Sequence, residues 1–317
     1  MSIKSSVVVP TYNGRQRILN FLDSVLQQTR MPDEVIVVVD GSNDDTINAI
    51  TANVRFKELP LVVHSQENKG RPAARNAGLR LAKHELILSF DDDMVLTETV
   101  VAKHIAHHKK HPDTVCIGYQ AEKKPLPNDP NFIFLDFRYH LSQRWNKQSP
   151  HYPEPLSITN YQLTTANCSF PKSIIDVVGY FDEQLKEVED FDLGTRMMKH
   201  NYKLYYYPDI VAWHDNPGWD FAKFIQRQVQ YRHDDLTWLQ KVETTGVLND
   251  ELRKHPRCTV GKKYNPFKHM IINLMAQPIW VKMMEQKWIT IIPKQLRYKL
   301  MDMITTSFTY KSKLPVR

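Results

Sequence analysis

Asp91, Asp92 and Asp93 stand side by side behind the apolar run ELILSF. Adjacent carboxylates at the rim of a core repel one another unless a cation or strong donors meet them. A solvated acidic turn accounts for a lone DDD string; one that ends a buried strand asks for positive charge. Asp40 closes a second apolar run, EVIVVVD, where a carboxylate at the strand edge can accept the ring N–H of a pyrimidine. The DGSNDD residues behind it read as a helix start, with Asn43 or Asp44 as the N-cap. Glu189 and Asp190 open an amphipathic helix. The helix dipole alone accounts for acids there, yet a short carboxylate in that place can also serve as base to an acceptor hydroxyl. His214 ends the strand pattern VAWH, where an imidazole can complete a metal shell begun by an aspartate. The HHKKH stretch at 107–111 reads as a solvated helix end.

These groups need elements to position them. Short β-branched runs at 6–10, 34–40, 59–65 and 85–91 are continuous enough to be strands buried on both faces. Between them, Ile18, Leu22, Val25 and Leu26, and then Ala74, Ala77, Leu81 and Ala82, recur at helical spacing. Strand alternating with helix predicts a mostly parallel sheet with helices on both faces. Ligands of such sheets bind beyond the carboxyl ends of the strands, which is where PTYNG, DGSNDD and DDDM all fall.

Seven of the 19 prolines lie between Pro112 and Pro155, so 112–163 reads as an irregular insertion with one helix around FLDFRYHLSQRW. Regular patterns return with TTANCSF, PKSIIDVV, a helix from Glu189 to His200 and the strand KLYYYPDIVAWH. From Asp220 onward the periodicity is helical.

With 42% hydrophobic residues over 317 positions the chain buries a substantial core. Three widely spaced cysteines, Cys116, Cys168 and Cys258, match neither a disulfide framework nor a CxxC metal site, and a reducing cytoplasm is expected. The first residues carry no secretory pattern, and MIINLMAQPIWV is too short and interrupted to span a bilayer. GxGxxG and Walker motifs are absent. The net charge of +7 is unevenly placed: residues 251–317 hold 14 Lys/Arg against 3 Asp/Glu, a net of +11, which leaves −4 for residues 1–250. A solvated basic helix explains such a tail, as does an anionic neighbour, either membrane or nucleic acid. No nucleic-acid-binding motif accompanies it, so nucleic acid is not the expected partner.

In order and spacing, VVVPTYNG, VVVDGSNDDT, ENKGRPAARNAGL, SFDDDM, ANCSFPKSIIDVVGYFDE, VEDFDLGTRMMKHNYKL and AWH resemble the family 2 glycosyltransferases of GT-A fold over roughly residues 5–215. The resemblance implies a Rossmann-like α/β domain over 1–218 and a basic helical C-terminal region over 219–317. The domain would comprise a nucleotide-sugar-binding half (1–111), the irregular insertion (112–163) and an acceptor and base half (164–218). Implied too are a nucleotide-sugar donor, with UDP expected, and a divalent metal, Mn²⁺ or Mg²⁺. Pro10, Thr11, Tyr12, Asn13 and Asp40 would hold base and ribose, with Arg71, Arg75, Asp91 and Asp92 on the nucleotide-sugar. Asp93 would hold the metal, joined by Asp91 and His214. Asp190 matches the family's catalytic base, with Glu189 helping to bind the acceptor, a glycan or lipid-linked glycan. The expected reaction is a single addition with inversion, since neither a QxxRW motif nor a transmembrane helix marks a processive synthase.

Two rivals stand beside this reading. DDDMV also fits the motif of haloacid-dehalogenase-like phosphatases, although those carry it on the first strand. A non-catalytic glycan-binding protein of the same fold would be expected to lack an acid that is present here. In the tail, Trp280, Met284, Trp288 and Ile291 fall on one helical stripe, and Leu296, Leu300 and Met303 continue one beyond Pro293 beside Lys294, Arg297 and Lys299. Docking on its own domain and lying on the anionic inner face of a membrane are both open to such helices.

Overall fold

The computed structural model describes residues 3–157, 163–215, 218–244, 252–254 and 266–311. Strands β1 (Ser5–Thr11), β2 (Glu34–Asp40), β3 (Leu61–Gln66) and β4 (Leu86–Phe90) lie in the order β3–β2–β1–β4, all parallel. Every residue of β1 and β2 is buried, so both runs are apolar without alternation. Helices α1 (Arg15–Leu26), α2 (Thr46–Thr51) and α3 (Arg71–Leu81) make the crossovers. Gly78 of α3 lies so close to the sheet that a Cβ there would fall 2.4 Å from a methyl of Val8. A larger residue would push the helix, and Arg71 and Arg75 with it, off β1.

The sheet continues past β4 through β7 (Asn167–Pro171), β6 (Thr114–Ala121), β8 (Lys203–His214) and β5 (Met94–Leu96). β7 runs antiparallel to β4 and β6, and β5 antiparallel to β8; the other six strands share one direction. This is the expected mostly parallel α/β sheet. α4 (Val100–Lys110), α6 (Lys172–Val178) and α7 (Glu189–Lys199) complete its surroundings.

The chain divides into two compact units, Met1–Ala121 with Trp145–Asn216, and Glu122–Arg144 with Pro217–Arg317. The second unit is helical, as expected, with α5 (Phe132–Gln148) through Arg144, α8 (Phe221–Thr244), α9 (Pro266–Met275), α10 (Pro278–Met284) and α11 (Lys294–Lys311). Phe134, Phe137, Phe221, Tyr298, Met301 and Ile304 form its core. A polar anchor crosses that core: Tyr298 donates to Asp136 at 2.8 Å, and Lys294 meets the other Asp136 oxygen at 2.8 Å.

Five local expectations need correction. The segment 112–163 is not irregular throughout, because TVCIGYQA forms the eight-residue strand β6 between proline-rich stretches. The helix expected within it extends over Phe132–Gln148. His107 and His108 are buried, not solvated, and His104 joins them one turn earlier. They are held by Ser169, Asn167, Tyr207 and Thr114, and burial keeps them neutral. The N-cap of α2 is Asp45, in the left-handed region at φ 62° and with no capping side-chain bond, while Asp44 turns to Thr46 and to the Arg15 N–H. Finally, the stripe from Trp280 to Ile291 is broken: α10 ends at Met284, which is buried, and a 3₁₀ turn over Lys287–Ile291 exposes Trp288 and Ile291. Cys116 and Cys168 are buried free thiols; Cys258 lies outside the described residues.

Candidate functional site

The loops after β1, β2 and β4 leave the sheet at one edge because the three strands are parallel neighbours. Pro10 and Thr11 are paired within β1, beside Val38 and Val39 of β2, and the chain leaves the strand at Tyr12. Asn13 takes a positive φ of 45° and ties this loop to the next: its N–H reaches Ser42 Oγ at 2.9 Å, and its Oδ1 accepts from Asn43 N–H at 2.9 Å. Tyr12 is left 49% exposed at the loop tip, a free ring face at the strand ends.

Asp92 accounts for one third of the DDD question. Thr11 Oγ1 donates to it at 2.7 Å, and Arg17 at the start of α1 donates through Nε and Nη2 at 3.2 and 3.1 Å. Burial nevertheless pushes the Asp92 carboxyl up to about 6, against the pull of Arg17. Gly14 makes the arrangement possible, since a Cβ there would stand 2.1 Å from Asp92 Oδ2 and 2.5 Å from Thr11 Oγ1. Its φ of −119° is open to any residue, so close approach alone requires glycine.

Asp40 does not stand open at its strand end. Its carboxylate accepts from Gln66 Nε2 at 2.8 Å, Lys69 N–H at 3.0 Å and Gly70 N–H at 2.8 Å, closing the loop that leads into α3. About one of a carboxylate's roughly four acceptor positions is then left for a ligand.

Arg75, 3% exposed, joins the two acidic clusters. Its Nη2 donates to Asp91 Oδ1 and its Nη1 to Glu189 Oε1, both at 2.5 Å. Burial would lower the Arg75 pKa, but Asp91 and Glu189 more than offset it and hold it raised. Arg71 adds a 2.7 Å bond to the same Glu189 oxygen and a 3.1 Å contact with Glu187. Glu189 is thereby 1% exposed, whereas Asp190, next along the first turn of α7, is half-buried and accepts from Phe191 N–H at 2.7 Å. A helix N-terminus favours that negative charge. The DDD loop and the ED pair therefore meet around one guanidinium.

At the other side of the DDD loop, β5 pairs with β8 so that Met94 lies opposite His214, and Asp215 N–H donates to the Asp93 carbonyl at 2.7 Å. Asp93 and His214 are thus neighbours through their backbones. Among the described residues no group of three or more His, Cys, Asp or Glu side chains is gathered as a finished metal cage. The donor chemistry suits a hard divalent ion all the same, because such ions accept one or two carboxylates and take further oxygens from phosphate and water. The half-buried Asp91 and Asp93 fit that partial role.

Arg17, which neutralises Asp92, escapes sequence reasoning, although a basic residue one helical turn beyond PTYNG is a usable signal. Asn20 and Asp215, paired at 2.5 Å behind Asp93, leave no local pattern at a separation of 195 residues.

The family model described as "Glycosyl transferase family 2" matches residues 6–164. The "Uncharacterized glycosyltransferase YfnE" of Bacillus subtilis (strain 168) is 27% identical over 262 residues, covering 67% of this chain and 64% of its own, so the chain spans just under two thirds of that relative. Among solved structures, S. aureus TarS 1–349 in complex with UDP-GlcNAc aligns with a TM-score of 0.54 at 19% identity, covering 98% of this chain and 91% of that one. The TarS crystal structure with the longer chain is covered to 55%. The mannosyltransferase PcManGT from Pyrobaculum calidifontis, in complex with GDP-Man and Mn²⁺, aligns with a TM-score of 0.60 at 16% identity, covering 98% and 87%. The likeness to these structures is one of fold. A phosphatase reading of DDDMV loses its footing, since the motif follows β4 and not β1.

Proposed function

The chain belongs to glycosyl transferase family 2, and from that membership we propose that it moves a sugar from a nucleoside-diphosphate donor to a hydroxyl of a glycan or lipid-linked glycan, in one inverting displacement. The observation that carries the proposal is the double ion pair of Arg75, which draws the DDD loop and the ED pair to one point. A donor site and a base must share such a point for one displacement to work.

In this reading Asp190 takes the proton of the acceptor hydroxyl while that oxygen attacks the anomeric carbon. The bond from that carbon to the diphosphate oxygen breaks on the opposite face, its electron pair departing with the nucleoside diphosphate, and the configuration inverts. Glu189, expected from the sequence to help bind the acceptor, is 1% exposed and paired to Arg71 and Arg75, so its part is instead to hold the turn that carries Asp190. The PTYNG loop, the exposed Tyr12 ring and the remaining acceptor position of Asp40 face base and ribose, with Arg71 and Arg75 on the same side. Asp93, with Asp91 and His214, would hold Mn²⁺ or Mg²⁺, which when bound supplies Lewis-acid neutralisation of the leaving diphosphate. Asp92, bound by Thr11 and Arg17, shapes the pocket beneath it.

UDP is the proposed nucleotide, supported by the acceptor position left at Asp40, which suits a pyrimidine ring N–H, and by the UDP-GlcNAc complex of TarS. The GDP-Man complex of PcManGT makes GDP the alternative. A lipid-linked acceptor would place the enzyme at the cytoplasmic face of a membrane, beside anionic lipid that its basic C-terminal region attracts. No described helix is long and apolar enough to cross one.

A screen of nucleotide sugars for release of the nucleoside diphosphate tests the reading, with and without chelator and with Asp93→Ala. Metal-dependent release from a UDP-sugar and a product of inverted anomeric configuration are expected. Binding of GDP without UDP would overturn the nucleotide; a retained configuration would overturn the single displacement.

A further inference from the structure

The second unit turns apolar residues outward on three consecutive elements. On α9, Phe267, Met270 and Leu274 are 65%, 59% and 59% exposed, while Ile272 and Met275 of the same helix fill the core. Spacings of three and four residues put the outward trio on a single face. On α10, Val281 and Met284 are buried and Ile279 points outward. In the 3₁₀ turn Lys287–Ile291, Ile289 is buried, whereas Trp288 and Ile291 are exposed, Ile291 to 84%. Residues three apart in a 3₁₀ turn eclipse, so this pair shares one side. A soluble surface scatters single apolar residues, but it does not expose whole helical faces of Phe, Met, Leu, Ile and Trp.

The charge around them decides the occupant. Lys268 of α9 and Lys282 of α10 are exposed, as is Lys299 of the following helix α11, in a tail segment of net +11. A protein partner would need a complementary acidic and apolar face. An anionic bilayer offers both features everywhere: apolar acyl chains beneath negative headgroups, with tryptophan favoured at the boundary.

We propose that the outward faces of α9, α10 and the Lys287–Ile291 turn insert into the interface of an anionic membrane, Phe267, Leu274, Ile279, Trp288 and Ile291 entering below the headgroups while the lysines reach up to the phosphates. The placement deepens the membrane position offered above for a lipid-linked acceptor. It differs from charge attraction alone, which would need no exposed apolar faces. It also replaces the Trp280 to Ile291 stripe expected from the sequence, because Met284 is buried on the opposite side.

The full chain is mixed with vesicles of phosphatidylcholine alone, or with phosphatidylglycerol added, at low and high salt, and pelleted. Binding is expected with the anionic lipid and is expected to survive in part at high salt. Lipids brominated on the acyl chains should quench tryptophan emission, and Trp288→Phe should remove that quenching. Ile279→Glu and Ile291→Glu, on exposed positions that do not bear on folding, should each weaken binding about tenfold, the factor that one buried isoleucine side chain represents. Binding that vanishes with salt and ignores both glutamates would leave charge attraction and overturn insertion. Failure to bind any vesicle overturns it too, as does a dimer in light scattering that either glutamate dissociates. UDP binding and donor turnover by the same samples report on the first unit, so a failed membrane result and a failed glycosyl-transfer reading appear in separate measurements.

Discussion

The Arg75 guanidinium and the Glu189 carboxylate, 114 residues apart in sequence, pair at 2.5 Å with 3% and 1% of their side chains exposed. The same arginine pairs with Asp91 on its other nitrogen. A buried charge costs several kcal/mol to dehydrate and is tolerated only where partners stay in place, so this triad fixes α7 against the end of β4.

Replacing Arg75 with alanine is expected to lower stability by about 3 kcal/mol, because Glu189 and Asp91 would then lose a buried counter-charge. Denaturant unfolding measures it. Glu189→Gln combined with Arg75→Ala should cost less than the sum of the two, since the pair couples. Additive losses would mean that Arg75 and Glu189 do not act as a pair.

Gly14→Ala is expected to impair the site although its backbone angles suit alanine. The new methyl would displace the Asp92 carboxylate or the Thr11 hydroxyl. Overpacking of this kind costs about 1–3 kcal/mol. Calorimetry should find weaker UDP binding than in the parent; unchanged binding and melting would remove Gly14 from the pocket's design.

Acid should destabilise the first unit through its histidines. Burial lowers His104 to about 4, and His107 and His108 to about 3, from the usual 6.5. Between those values and 6.5 the unfolded chain binds more protons than the folded one, so this stability is present above pH 6.5 and is lost as pH falls. Asp92 acts in the opposite direction: its raised value of about 6 lets the folded state hold a proton that the unfolded state releases above about 3.8. Three histidines outweigh one aspartate. Melting temperature should fall between neutral pH and about pH 4, and His104→Gln should flatten the slope by about one proton. A flat profile in the parent protein would contradict the buried neutral cluster.

Much of this was legible in the chain. The runs ending at Asp40 and Phe90 are apolar on both faces, and continuous β-branched runs identify such strands without neighbours. PTYNG, DGSNDD and DDDM were legible as one edge because parallel strands end together. Partners were not: Arg75 and Arg17 are ordinary basic helix residues until the fold brings Glu189 and Asp92 to them. His107 and His108 looked solvated because imidazole is polar, and only Ser169, Tyr207 and Thr114, contributed by other elements, make their burial tolerable. β6 was hidden by the prolines on either side of it.

Asp190→Asn tests the central claim most directly. The change is nearly isosteric and removes the proton acceptor alone, so UDP affinity by calorimetry should stay within about twofold of the parent, while transfer to acceptor falls about 10²- to 10⁴-fold. An Asp190→Asn enzyme that transfers sugar at the parent rate would contradict the assignment of the base, and with it the single displacement built on the meeting of Asp91, Arg75 and Glu189.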